Sequence, residues 1–186
     1  MSNTNVWKSR RNLLLIFTMF IVPVVLAKLA LDNDWFNKAS TNSGELLKQE
    51  LSISQLDITH ETLQKKWLII YRLPVPCDEN CKQTIYGINQ TFISLGREMD
   101  RVIPLGLYSA ETNTDELGVL KEEFWEFDLL SADSKDQLES NWVYVSDPLG
   151  NVILKYAAPT SNDEVLALGK AMLSDLRKLL KYSRIG

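Results

Sequence analysis

Lys66-Trp-Leu-Ile-Ile-Tyr-Arg-Leu-Pro-Val-Pro-Cys-Asp-Glu-Asn-Cys-Lys82 is the stretch on which the fold turns. Trp67 to Tyr71 is a continuous aromatic and branched apolar run between Lys66 and Arg72, the pattern of a central strand buried on both faces. Pro74 and Pro76 end it, since neither can donate a ladder hydrogen bond. After Cys81 the period changes. Ile85, Ile88, Phe92 and Leu95 recur at spacings of three and four, with Gln83, Gln90 and Arg97 on the other side, which predicts a helix. The chain's two cysteines, Cys77 and Cys81, therefore fall where a strand hands over to a helix N-terminus.

Unpaired amides and the helix dipole at such a junction stabilise a thiolate, the form that attacks disulfides and binds soft metals. The i, i+4 spacing on a first helical turn brings two sulfurs within bridging range. The carboxylates of Asp78 and Glu79 oppose thiolate formation, so the thiols are expected to be less acidic than those of redox motifs with neutral or basic spacers. The residues alone leave three readings open: a redox or metal-binding pair, a structural disulfide, or two buried thiols.

Outward from this core, the N-terminal side is a membrane pattern. Leu13 to Leu31 carries one charge, Lys28, and one helix breaker, Pro23, and is long enough to cross a bilayer core. Lys8, Arg10 and Arg11 precede it and Asp32 and Asp34 follow it, so the positive-inside rule keeps the N-terminus in the cytoplasm and exports the rest. Val25-Leu-Ala27 would serve as a signal-peptide cleavage site, but the apolar run continues through Leu31, which favours a retained anchor. The expected division is a cytoplasmic N-terminus at 1–11, a transmembrane anchor at 12–31, a linker at 32–44 and an exported domain at 45–186. Asn33 to Gly44 is polar apart from Trp35 and Phe36, which suit a membrane interface.

Beyond residue 31 lie all 24 acids and 16 of the 20 bases, a net charge of −8 that does not suit nucleic acid. On the oxidising side of a membrane, two close cysteines form a disulfide unless reduced or occupied by metal. His60, the single histidine, falls in a connection before the central strand; its ordinary fate is a solvated side chain, and its alternative a ligand or base.

The remaining elements follow from period and punctuation. Leu51 to Leu56 reads as a short edge strand, and Val102 to Tyr108 as a strand with Pro104 near its start or edge. Together with the Trp67 strand and the intervening helix, the latter makes a βαβ unit. Trp125 to Leu129 alternates as a half-buried strand, and Ser131 to Ser140 reads as a polar helix. Trp142 to Val145 and Val152 to Tyr156 flank the turn Asp147-Pro-Leu-Gly-Asn151 as an antiparallel hairpin. A closing helix from Ser161 to Tyr182 has Val165, Leu168, Met172, Leu176 and Leu179 on its apolar face. Arg177, Lys178, Lys181 and Arg184 gather at its end, where they complement the helix dipole or meet a membrane or partner. The sequon Asn89-Gln-Thr91 lies inside the first helix and is discounted. No phosphate loop, histidine pair or serine triad of a hydrolase or transferase is present.

This order, a mixed sheet flanked by helices in an α/β domain, resembles the thioredoxin-like fold. With the anchor, the Cys-x-x-x-Cys of Cys77 and Cys81, and the hairpin Tyr144-Val-Ser-Asp-Pro-Leu-Gly-Asn151, it also resembles the Sco/SenC family of cytochrome oxidase assembly proteins. Pro23-Val-Val-Leu-Ala-Lys-Leu-Ala-Leu31, Asp34-Trp-Phe-Asn37 and Asp175-Leu-Arg-Lys-Leu-Leu-Lys-Tyr-Ser-Arg-Ile-Gly186 resemble the small transmembrane cytochrome-oxidase-associated proteins of Gram-negative bacteria. The resemblance implies a single-pass protein of the bacterial inner membrane with a periplasmic domain. It implies assembly of cytochrome c oxidase, with subunit II or other assembly factors as partners, by thiol-disulfide exchange or transient Cu(I) binding at Cys77 and Cys81. A non-catalytic helper with a structural disulfide is the alternative. A peroxide-reducing enzyme would want an activating polar shell around one acidic cysteine, which Asp78 and Glu79 oppose. Three departures stand out, the first being Lys82 where the Sco/SenC family usually has a proline after the second cysteine. The family's copper-binding histidine has no counterpart within Lys135 to Asn141, and Asn141 and Trp142 stand where thioredoxins place the proline that orients substrate disulfides.

Overall fold

A computed structural model of the chain describes residues 3–32, 42–58, 61–112, 124–132 and 134–185. It divides into two compact units, 1–41 and 42–186. In the first, α1 (Asn3–Asp32) is one continuous helix with Pro23 inside it. Its Arg10–Ala30 stretch is long and apolar enough to cross a membrane, and Leu13 to Leu29 present their side chains outward. An interior proline removes one backbone bond, a loss that transmembrane helices tolerate. Thr18 returns its hydroxyl to the Leu14 carbonyl at 2.8 Å. The expected linker aromatics Trp35 and Phe36 lie outside the described residues, as does His60.

The second unit is a six-stranded mixed sheet. Its strands are β1 (Glu45–Ser52), β2 (Trp67–Arg72), β3 (Val102–Tyr108), β4 (Glu126–Leu129), β5 (Trp142–Ser146) and β6 (Asn151–Ala157), in the order β1-β6-β5-β2-β3-β4. Helix α2 (Glu79–Ile93) connects the parallel β2 and β3, and α3 (Asn162–Tyr182) closes the chain. The mixed sheet with flanking helices is the thioredoxin-like arrangement read from the sequence.

Strand β2 explains why the sheet has two cores. Its side chains alternate across the sheet. Trp67, Ile69 and Tyr71 pack with Ile85, Ile88 and Phe92 of α2 and Leu168, Met172 and Leu176 of α3. Leu68 and Ile70 pack the other way, with Leu105, Leu107, Ile53, Leu56, Leu63, Leu130 and Leu138. Each such side chain, fully buried, contributes about 1.5–3 kcal/mol, so a strand buried on both faces anchors both layers. The helices themselves approach closely: a Cβ at Gly87 would lie 2.8 Å from Val165 Cγ1.

Pro104 is tolerated because β4 begins pairing with β3 only at Leu105, leaving Pro104 at a local edge. The hairpin forms as read, with β5 and β6 antiparallel.

Three expectations are corrected. The edge strand lies earlier than Leu51–Leu56: β1 spans Glu45–Ser52 and pairs with β6, and Ile53–Leu56 turns as a 3₁₀ segment. Ile53 and Leu56, three apart, both face the core in that geometry. Second, the described residues of 131–140 form turns and no helix. The Ser131 hydroxyl lies 3.0 Å from the Asp57 carboxylate and 2.9 Å from Ser134 Oγ, with one proton to donate between them, and the Ser134 hydroxyl donates to the Gln55 carbonyl at 3.1 Å. Such side-chain bonds compete with helical pairing, and the loop instead drops Leu138 into the core. Third, the alternation at 125–129 breaks: Trp125 is buried and Phe127 half-buried, but Leu129 is exposed and Leu130 takes the interior place.

Candidate functional site

Strand β2 ends at Arg72, as the prolines dictate, although the Leu73 N–H still donates to Leu107 O at 2.9 Å. The chain then runs through Pro74 and Pro76, the latter after a cis bond, to Cys77. Asp78 is the N-cap of α2, and its carboxylate accepts the Cys81 N–H at 3.0 Å. The cap is the signal that sequence reasoning had in hand but read only as charge: an Asp before Glu79-Asn80-Cys81 is a strong N-cap pattern.

Cys77 and Cys81 are joined as a disulfide with Cα atoms 5.2 Å apart. The pair is not stacked within one helical turn as its spacing suggested, because Cys77 precedes the cap and only Cys81 is helical. The two sulfurs are therefore unequal in setting. Cys81 is completely buried in the α2 core, whereas Cys77 retains 8% of its surface. The Cys81 amide, a donor that would otherwise stabilise a thiolate, is already engaged by Asp78.

Behind the disulfide lies a polar contact that the sequence did not announce. Tyr71 is fully buried, and its phenol donates to Asn141 Oδ1 at 2.9 Å. Burial pushes this phenol far above its ordinary pKa, with a hydrogen bond to Thr84 opposing the rise and the Asp78 charge adding to it. Thr84 in turn donates to Asn80 O at 2.8 Å in the first turn of α2. Asn141 adopts a left-handed backbone, φ 61°, which asparagine tolerates better than most residues. Its N–H donates to Arg72 O at 3.0 Å and its carbonyl accepts from Ala158 N at 3.2 Å. Asn141 thus ties β2, β5 and the end of β6 together at the position where thioredoxins carry proline. A lone Asn before a strand gave no sign of this in the sequence.

Among the described residues, no group of three or more His, Cys, Asp or Glu side chains converges as a metal site. The donor set that Cys77 and Cys81 offer on reduction is two sulfurs, which suits a soft, two-coordinate ion such as Cu(I) and not the harder ligand field of Cu(II). Asn89 of the sequon is buried within α2.

Residues 67–183 match the family described as transmembrane-like, thioredoxin-like, C-terminal domain. No curated protein matches the chain. Among solved structures, apo Sco1 from Thermus thermophilus is similar over 75% of this chain and 97% of its own, at 15% identity and a TM-score of 0.51, a likeness of fold. A SCO1/SenC family lipoprotein from Bacillus anthracis (15% identity, 63% and 83% covered, TM-score 0.47) and copper-bound ScoI from Arabidopsis thaliana (16%, 65% and 90%, 0.45) are more distant in shape.

Proposed function

The chain belongs to the transmembrane-like, thioredoxin-like family, and from that premise we propose that it is a membrane-anchored, periplasmic assembly factor for cytochrome c oxidase. In this reading, residues 1–11 are cytoplasmic, 12–31 span the bacterial inner membrane once, 32–44 are a linker and 45–186 are the periplasmic domain. The observation that carries the reading is the Cys77–Cys81 disulfide at a strand-to-helix junction, with Cys81 completely buried and Cys77 keeping 8% of its surface.

The inequality assigns roles. In the reduced protein the Cys77 thiolate attacks one sulfur of a target disulfide, forming a mixed disulfide and expelling a target thiolate. Cys81 then loses its proton and attacks Cys77 Sγ, re-forming the internal disulfide and releasing the second target thiol. Two electrons and two protons pass to the target, and a membrane dithiol donor must restore the pair. The cysteines of oxidase subunit II are the proposed target; in the alternative mode, the reduced pair holds Cu(I) transiently. When bound, Cu(I) supplies a soft cation for transfer to other thiolates, and Cys77 and Cys81 are the residues that hold it.

A second reading is favoured by Asp78. Because its carboxylate occupies the Cys81 amide and adds negative charge, it disfavours thiolate formation, as a purely structural disulfide in a docking helper would allow. Membranes carrying the full chain with Cys81→Ser distinguish the two. Disulfide-linked capture of subunit II on Cys77 is expected. If nothing is captured, and Cys77→Ser/Cys81→Ser supports oxidase assembly while deletion of the chain abolishes it, the helper reading replaces exchange.

Copper is tested by titration: the reduced protein is expected to bind one Cu(I) and to give no intense sulfur-to-Cu(II) absorption. A coloured Cu(II) complex lost in both His60→Ala and Cys77→Ser would make His60 the third ligand. For topology, an export-dependent reporter fused after residue 60 should be active, and a cytoplasmic reporter there inactive.

A further inference from the structure

The isolated basic end of α3 is a feature that exchange chemistry does not use. The unit beyond residue 31 is acidic, yet Arg97, Arg177, Lys181 and Arg184 are all exposed at this end, with half-exposed Lys178 beside them. The acids nearby offset little of that charge. Glu98, its side chain 45% exposed, pairs with Arg101 at 2.7 Å, fully buried Asp175 meets Lys178 at 3.4 Å, and Asp100 is exposed, which leaves Arg97, Arg177, Lys181 and Arg184 in excess.

The tail after α3 is held in place. Arg101 donates to Leu180 O at 3.0 Å, Ser183 O at 2.9 Å and Ile185 O at 3.0 Å. Arg184 is thereby presented on a fixed backbone, flanked by Tyr182, 80% exposed, and Ile185, 49% exposed. A cationic rim with a projecting tyrosine and an aliphatic tip is the composition of surfaces that sit at membrane headgroups.

The start of the domain is bonded to the same helix. The buried carboxylate of Asp175 accepts the N–H groups of Ser43 at 2.7 Å and Gly44 at 2.9 Å. Residues 43 and 44 are therefore held at Asp175, and a helical rise of 1.5 Å per residue puts Lys181 about 9 Å further along α3.

We propose that the C-terminal end of α3 with its clamped tail is a docking surface for anionic phospholipid headgroups. This rests on the membrane-anchored reading above.

The test uses the full chain in nanodiscs of phosphatidylcholine alone or mixed equally with phosphatidylglycerol, with lysine acylation read by mass spectrometry. Lys181 is expected to react about tenfold more slowly in the anionic discs, to recover in about 0.5 M salt, and to recover in Arg177→Gln/Arg184→Gln. Lys135, its side chain 40% exposed and paired with Glu111, should react alike in the two lipids at any one salt concentration, which also certifies the fold of the variant. Equal reactivity of Lys181 in both lipids, with the chain retained in the discs, overturns the docking surface and leaves the anchor standing. Protection in both lipids means that protein covers Lys181 and likewise overturns it. Failure of the chain to remain in either disc removes the anchored reading and this proposal with it.

Discussion

The phenol of Tyr156 donates to the carboxylate of Asp175 at 3.0 Å inside the core, so the last strand is bonded to the last helix through a fully buried charge. The same oxygen accepts the Ser43 and Gly44 amides, and Lys178 approaches the other at 3.4 Å. Replacing Asp175 with Ala leaves these donors without a partner and should cost about 2–4 kcal/mol, measured as a denaturation midpoint. Tyr156→Phe removes a donor and leaves no donor stranded, so its loss should stay within ~1.5 kcal/mol. Equal losses for the two variants would mean that ring packing, and not the carboxylate, carries the stability.

Alkaline pH should unfold the domain through its tyrosines. Burial raises the phenol pKa of Tyr71, Tyr144 and Tyr156 above the ordinary 10.0, and the Asp175 charge and hydrogen bond raise Tyr156 further. Above about pH 10 the unfolded chain releases these protons and the folded chain keeps them, so stability is full below pH 10 and falls as pH rises beyond it. Spectrophotometric titration near 295 nm should show three tyrosines ionising together with loss of the far-ultraviolet helix signal. Ionisation of all six in the folded protein would refute the burial argument.

Asp78 couples the helix cap to the disulfide. Asp78→Ala should lose ~1 kcal/mol of stability with the cap, free the Cys81 amide and remove a negative charge. Each unit by which a thiol pKa then falls stabilises the reduced form and raises the reduction potential by about 30 mV. Asp78→Asn keeps a capping oxygen without the charge, so it should retain stability while still raising the potential. A potential unchanged in both variants, measured against glutathione, would show that Asp78 does not tune the sulfurs.

Arg101→Lys should loosen the C-terminus, since one ammonium cannot reproduce the fork that serves three carbonyls and Glu98. We expect a loss of about 1–2 kcal/mol and faster amide exchange confined to Leu179–Ile185. Unchanged exchange there would mean that the tail holds itself.

What could be read in advance follows the reach of each interaction. Trp67–Tyr71, the Ile85–Phe92 face and the Asp147–Asn151 turn carry local periodicity and turn chemistry, and these placed the strand, the helix and the hairpin. The cover of the second core face did not show itself, because Ile53, Leu56, Leu63 and Leu138 sit in short irregular segments whose shape is set by bonds to distant residues. At the site, the cysteines were evident and their environment was not. Asp175 falls among Leu168, Met172 and Leu179 on the apolar stripe of α3, and Asn141 stands where thioredoxins place a proline, but neither position names its partners. Each owes its role to partners from 19 to 132 residues away in sequence.

The boundary of α2 also determines how a change of oxidation state spreads. Cys77 stands outside the helix, and the Cys81 N–H is bonded to Asp78 and not to sulfur. Opening the disulfide therefore breaks no backbone bond of the helix and leaves the sheet untouched. The oxidised and reduced proteins should share one scaffold and differ in the short segment from Leu73 to Cys77. A partner that tells them apart must touch that segment, and this confines the recognition of electron state to five residues at the end of the central strand.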